Sequence, residues 1–367
     1  MTPLVLTRLV AANVRNVARV ELAPARRLTV LHGDNGQGKT TILEAIYLAA
    51  TSRSFRTAKL GELVRHGSTL AQVKASFLEG DGGIPRDQLV AVDEGRRVVK
   101  LDGKRPPSLA AYATRSPVVC FHASELELST GAAGARRTVL DRVALFVDPS
   151  AVEHGARYRE ALRSRQKALT VRGPNATDVP PFEALCASHG AALTRCRARA
   201  AEALVSTLLP TFRELAAPGL ELLAAYAPGG TDDVELFRRE LASRREKDRT
   251  RGAATFGPHR DDLMLTLDGH VAREVASQGQ HRTITLAIKL AELSAIAKAR
   301  GVFPVLLLDD ISSELDRDRM AALLAFLGDT QGQIFVTTTR PELIVTPGLA
   351  APDRRDLRVV SGAIETP

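Results

Sequence analysis

Between the apolar run Leu28–Leu31 and the helix-forming run that starts at Ile42 lies the turn Gly33-Asp34-Asn35-Gly36-Gln37-Gly38-Lys39-Thr40-Thr41. Strand, glycine turn and helix in that order form a phosphate-binding loop, which commits the chain to an α/β fold. Glycines without Cβ let successive backbone N–H groups curl around a phosphate chain, and the following helix adds the positive end of its dipole. Lys39 then reaches the β- and γ-phosphates, and Thr40 presents a hydroxyl to Mg²⁺. Gly33 through Thr41 are therefore candidate nucleotide-binding residues, with ATP and Mg²⁺ as the expected ligands.

Further along, Val305-Leu306-Leu307-Leu308 is an apolar strand that ends in Asp309-Asp310. Mg²⁺ keeps most of its waters and takes one or two carboxylates, so Asp309 at the strand tip is a candidate metal residue beside Thr40. Asp310 is placed to face an attacking water and, with Lys39, is a candidate catalytic residue. Ser277-Gln278-Gly279-Gln280 opens an amphipathic helix. Ser277 there is either a plain N-cap or, with the unencumbered Gly279 backbone, a second anion site for a γ-phosphate on another subunit. Ser313-Glu314-Leu315-Asp316 fits a capping box. Thr338, in Thr337-Thr338-Thr339, either reflects β-propensity or brings a hydroxyl near the γ-phosphate.

Around these motifs the chain divides in two. Residues Leu4–Val10, Val17–Leu22, Leu28–Leu31, Ala71–Phe77, Leu89–Val92 and Val98–Leu101 read as strands, with hairpin signals at Glu94-Gly95 and Asp102-Gly103. From about Ala123 to Arg251 the pattern is helical, broken by the turn-rich Arg172–Pro181, so two helices there would form a short antiparallel arm. Strand character returns after Gly257. Residues 1–112 and 276–367 are thus expected to form one ATPase lobe with a mixed sheet, and 113–275 a mainly helical second lobe. With 367 residues and 44% hydrophobic content, two such lobes can each bury a core.

A net charge of +8 permits attraction to a polyanion. The basic run Phe237–Arg251 interleaves Glu240, Glu246 and Asp248, which favours a solvated helix with i,i+4 pairs over a DNA-contacting face. Cys120, Cys186 and Cys196 are widely spaced and read as reduced thiols. No segment has the length of a membrane span and the N-terminus lacks a signal-peptide pattern, so a cytoplasmic location without membrane partners is expected.

Taken together, these motifs resemble the ATP-binding-cassette ATPases of the SMC type, with Walker A at Gly33–Thr40, a signature helix at Ser277–Gln280, Walker B at Val305–Asp310, a D-loop at Ser313–Asp316 and a switch position at Thr338. Within that superfamily the chain is similar to the RecF family of bacterial recombination mediators. The resemblance is carried by Val14-Arg15-Asn16, Ser52-Arg53-Ser54-Phe55-Arg56-Thr57, Gly257-Pro258-His259-Arg260-Asp261-Asp262-Leu263 and Leu308–Asp316. It implies a homodimer that closes on two ATP molecules, with Ser277 acting in trans. It also implies binding to single-stranded and junction or gapped duplex DNA, partnership with RecR and RecO, and recombinase loading in repair, replication restart and the SOS response. Asp310 replaces the Glu of many cassette ATPases and Thr338 replaces a His, so slow, DNA-stimulated hydrolysis is expected. The Q-loop glutamine of the superfamily is missing from Phe121–Ser124. Two other readings compete: the ATPase subunit of a membrane transporter, and a scaffold that binds ATP without hydrolysing it.

Overall fold

The computed structural model describes residues 1–80, 82–93, 96–216, 219–311, 317–329, 331–346, 349 and 352–365. In chain order the strands are β1 (Thr2–Val14), β2 (Val17–Leu22), β3 (Leu28–His32), β4 (Leu70–Glu79), β5 (Arg86–Asp93), β6 (Arg96–Leu101), β7 (Val118–Phe121), β8 (Leu222–Ala227), β9 (Asp262–Leu267), β10 (His270–Val271), β11 (Val302–Phe303), β12 (Val305–Leu308), β13 (Ile334–Thr338), β14 (Arg354–Val360) and β15 (Ala363–Ile364). The helices are α1 (Lys39–Thr51), α2 (Leu109–Ala113), α3 (Glu127–Thr130), α4 (Ala133–Val147), α5 (Ser150–Arg172), α6 (Val179–Leu215), α7 (Val234–Ser243), α8 (Arg245–Arg251), α9 (Ala272–Val275), α10 (Gln278–Arg300) and α11 (Arg317–Asp329).

The chain splits into two compact units. The first comprises Met1–Glu125, Glu214–Ala216 and Leu286–Pro367, the second Leu126–Arg213 and Ala217–Thr285. The divisions at Glu125 and Leu286 fall later than the 112 and 276 read from sequence. The reason is that β7, with its following turn, pairs inside the first unit, while the first turns of α10 belong to the second.

Two sheets build the first unit. One runs β11-β1-β4-β5-β6 with β2 also on β1, and all its pairs except β1–β11 are antiparallel. Its strands alternate buried and exposed residues, as a sheet with one covered face must. The other sheet has the order β15-β14-β3-β13-β12-β7 and is parallel apart from β15. Its inner strands Val305–Leu308 and Ile334–Thr338, and the edge strand Val118–Phe121, are buried at every residue, the mark of a parallel sheet covered on both faces. Helix α1 is buried all round and packs on strands of both sheets. All parallel strands run the same way, so β3, β7, β12 and β13 deliver their C-terminal residues to one edge, where ligands bind in open α/β sheets.

In the second unit, α5 and α6 pack antiparallel. The pairs Arg165–Glu183, His154–His189 and Ser150–Cys196 step away from the connecting turn in opposite directions along the two helices. Gly173, at φ 90°, ends α5, and Pro180 and Pro181 sit in the first turn of α6, where no amide donor is required. The expected break thus forms the tip of a helical arm. A three-stranded antiparallel sheet, β10-β9-β8, also belongs to this unit. Its strand β8, Leu-Leu-Ala-Ala-Tyr-Ala, carries helix-favouring residues within the stretch expected to be helical. Pairing from Leu222↔Leu267 through Ala227↔Asp262 overrides that preference.

Candidate nucleotide site

The backbone around the glycine turn explains its composition. Gly33 has φ 141°, and a Cβ there would come within 2.5 Å of the Val359 carbonyl oxygen on β14. Gly38 has φ 105°, and its Cβ would meet Gly362 at 3.1 Å. The C-terminal hairpin is held against the loop by Gln37, whose carbonyl accepts from Gly362 N at 2.8 Å and whose Oε1 accepts from Ser361 N at 2.6 Å. Asp34, Asn35 and Gly36 are exposed, whereas Lys39 is buried. The Lys39 ammonium donates to the carbonyls of Gly33 at 2.7 Å and Asp34 at 2.8 Å, so it lies inside the loop. Burial lowers its pKa, while Asp310, Asp309 and Asp34 pull the other way.

Two strand ends meet this loop. The Thr40 hydroxyl donates to Asp309 Oδ1 at 2.8 Å, and the Thr337 hydroxyl donates to the same oxygen at 2.7 Å. Thr337 also accepts the Asp310 amide at 2.8 Å. Burial drives the Asp309 carboxyl above its ordinary pKa, opposed by the hydrogen bonds from Thr337 and Thr40. Asp310 adopts φ 50°, a costly backbone conformation for a residue with a Cβ, and its buried Oδ1 has no hydrogen-bond partner. The cleft in front has a volume of about 400 Å³ and is lined by Asn35, Gly36, Lys39, Thr40, Asp310 and Thr337, among others.

Thr338 is placed differently. It is fully buried, and its hydroxyl accepts from Arg340 N at 2.9 Å, so Thr337 is the threonine that meets the aspartates. Thr41 turns its hydroxyl to Asn16 Oδ1 at 2.9 Å, and Asn16 Nδ2 donates to the Gly36 carbonyl at 3.0 Å. Sequence reasoning also passed over Glu44. Fully buried on α1, it takes both Arg15 and Arg56, as well as the Ser54 hydroxyl. Arg15 and Arg56 both line the cleft. One signal was available: a carboxylate at the centre of the apolar Ile42–Ala50 helix requires a cation from elsewhere in the chain.

Ser277 and Gly279 lie in the second unit. Ser277 is exposed and caps α10 reciprocally: its amide donates to Gln280 Oε1 at 2.6 Å, and its hydroxyl accepts from Gln280 N at 3.2 Å. The Gly279 carbonyl accepts from the Thr283 hydroxyl at 3.1 Å. His281, which follows Gln280, is anchored through Nδ1 to the buried Ser129 hydroxyl at 2.7 Å. The Ser313–Asp316 segment lies outside the described residues, as does the Glu94-Gly95 turn. His122, in the Phe121–Ser124 stretch that lacks the Q-loop glutamine, lies tilted by 33° against Phe55 with ring centroids 4.9 Å apart.

The Gly257–Leu263 string proves to be architectural. A Cβ on Gly257 would fall 2.1 Å from the Tyr158 hydroxyl. Buried Asp261 receives Arg197 at 2.9 Å, the Tyr226 hydroxyl at 2.7 Å and Gly229 N at 2.8 Å. Much of the basic run is neutralised, Arg238 and Arg239 by Glu235, Arg244 by Glu240 and Arg249 by Glu246, but it forms two helices and Asp248 is buried against Arg165 instead of pairing along a solvated face. All three cysteines are free and buried. Among the described residues no helix is long and apolar enough to cross a membrane.

Comparison with known proteins agrees with this geometry. The family described as RecF/RecN/SMC N terminal domain matches residues 5–347. A protein of Anaeromyxobacter sp. (strain Fw109-5), named DNA replication and repair protein RecF, is 41% identical over 368 residues, covering 98% of each chain. Its namesake in Myxococcus xanthus (strain DK1622) is 36% identical, covering 97% of each chain. Among solved structures, one described as the recombination mediator protein RecF with ATP in the RecFOR pathway superposes with a TM-score of 0.86 at 25% identity, over 100% of this chain and 99% of that one. An Smc head domain from Pyrococcus furiosus shares the fold alone, with a TM-score of 0.57 at 16% identity. With near-complete coverage by relatives at this level of identity, the chain belongs to the RecF family.

Proposed function

We propose that this protein is an ATP-dependent DNA-binding recombination mediator. ATP closes two copies face to face, and the closed dimer engages DNA at single-strand gaps and junctions, supporting recombinase loading with RecR- and RecO-type partners in repair, replication restart and the SOS response. The observation that carries the nucleotide chemistry is the pairing of Thr40 with Asp309 beside the unpartnered Oδ1 of Asp310. The names of the relatives and of the ATP-bound neighbour support the cellular role.

The donor set suits a hard cation: a hydroxyl in the first turn of α1 and a carboxylate at a strand tip, with a neighbouring carboxylate oxygen left unsatisfied. Thr40 and Asp309 would hold Mg²⁺, which when bound neutralises charge on the β- and γ-phosphates. Lys39 leaves the loop carbonyls for phosphate oxygens as the loop amides wrap the triphosphate. Asp310, which lines the cleft, accepts a proton from the attacking water. Its carboxylate is one methylene shorter than glutamate, which supports slow turnover. Ser277, exposed at the start of α10, offers its hydroxyl and the helix N-terminus to the γ-phosphate held by a second copy. Arg15 and Arg56, steadied by Glu44, supply positive charge at the cleft rim.

Light scattering with a non-cleavable ATP analogue tests this reading. The expected result is a doubling of mass with analogue, lost in Ser277→Arg while nucleotide binding is retained, and loss of nucleotide binding in Lys39→Met. A monomer at every analogue and protein concentration overturns it.

A further inference from the structure

We infer that Arg159, Arg163 and Lys167 on α5 form a contact surface for the phosphate backbone of duplex DNA. The inference rests on the DNA-binding reading above and names residues for it. All three are exposed and stand at i, i+4, i+8, so they share one flank of the helix. The opposite face, with Ala151, Tyr158, Ala161, Arg165 and Ala168, is buried. At about 1.5 Å rise per residue the three cations span roughly 12 Å, the axial length of three to four successive phosphates on one strand of a duplex.

What singles them out is the treatment of their neighbours. On the same helix Arg157 pairs with Glu153 and Arg172 pairs with Asp178, bracketing the stripe at both ends. Buried Arg165 is fully engaged with Glu183 and Asp248. Among the described residues, Arg159, Arg163 and Lys167 pair with no carboxylate, although Glu160 lies in the same stretch. Like charges one turn apart disfavour an isolated helix, and here the repulsion occurs twice in succession without an internal counter-ion. Gly155 adds a structural detail: the Arg159 guanidinium lies over it, 3.3 Å from where a Cβ would stand. The basic run at Arg238–Arg249, more conspicuous in the sequence, has its arginines matched to Glu235, Glu240 and Glu246 or, for Arg245, to Glu183. A row of unmatched cations on a rigid helix complements a polyanion of regular charge spacing, and phosphate contacts of this type position DNA without reading its bases.

The test is fluorescence anisotropy of a labelled duplex, titrated with the full chain and a non-cleavable ATP analogue across a salt series. It compares wild type, the triple variant Arg159→Ala/Arg163→Ala/Lys167→Ala, and the control Arg238→Ala/Arg239→Ala. The triple variant is expected to bind at least about tenfold more weakly at physiological salt, with the slope of log affinity against log salt reduced by roughly 2–3. Its analogue-driven dimer mass should equal that of wild type, and the control should bind as wild type does. An unchanged slope in the triple variant overturns this inference while leaving the function reading intact. So does an equal loss in the control. Absence of DNA binding by wild type overturns both.

Discussion

Buried guanidinium groups in the second unit are matched, whereas at the sheet edge of the first unit one buried carboxylate oxygen is left open. In the second unit each large buried cation is matched. Arg165 is held by Glu183 at 3.2 Å, Asp248 at 2.7 Å and the Leu241 carbonyl at 2.7 Å. Arg197 is shared between Asp141 and Asp261, and Arg136 makes a bidentate pair with Asp262. In the first unit, at the C-terminal edge of the parallel sheet, Asp310 sits in a costly backbone conformation with a buried oxygen unpaired. Matching of these buried guanidinium groups fixes how helices and strands pack in the second unit. Incomplete satisfaction is tolerated where a ligand is to complete the set.

The sharpest way to break this contrast is Asp310→Asn. If Asp310 is the proton acceptor, hydrolysis should fall by about 10²- to 10⁴-fold, while analogue-driven dimerisation persists. Phosphate release under single-turnover conditions reads this directly. Equal turnover by wild type and Asp310→Asn would place Asp310 among merely structural carboxylates.

Next in size is Arg165→Met, aimed at the fully matched side. It leaves Glu183 and Asp248 buried without their shared guanidinium, and Arg245 can compensate only at Glu183. Unfolding free energy should fall by about 3–5 kcal/mol. The rate of hydrolysis per folded molecule should be unchanged. Denaturant titration with paired activity assays checks both, and a loss of turnover without a loss of stability would blur the division drawn between the units.

These differences explain what the sequence disclosed. Gly33–Thr41 and Val305–Asp310 were legible because strand, turn and helix are local patterns, and their spacing survives in one dimension. Thr337 was hidden behind Thr338: adjacent threonines on a strand point to opposite faces, and strand register alone decides which one meets Asp309. The Arg15–Glu44–Arg56 cluster joins a β-turn, a helix and a loop, so no single window contains it. Strand β8 was hidden for a related reason, since its partner β9 lies some forty residues later and its own residues favour helix. The Gly257–Leu263 string carried the resemblance yet serves packing, through Tyr158 and Arg197.

The smallest expected effect separates the two aspartates. Burial holds the Asp309 carboxyl above its ordinary pKa. An acid whose folded-state pKa exceeds its unfolded value, near 4, favours the folded state most when protonated, and that contribution is lost as pH rises through the folded value. At neutral pH in the absence of nucleotide, ionised Asp309 therefore costs stability, although Thr40 and Thr337 donate to it. Asp309→Asn should raise the melting temperature of the nucleotide-free protein by about 2 °C at neutral pH, with the gap closing toward about pH 4. Thermal unfolding followed across that range tests the sign. A gap that does not vary with pH would mean that the two threonine hydroxyls already offset the cost of burying the charge, and Asp309 would then belong with the satisfied carboxylates of the second unit.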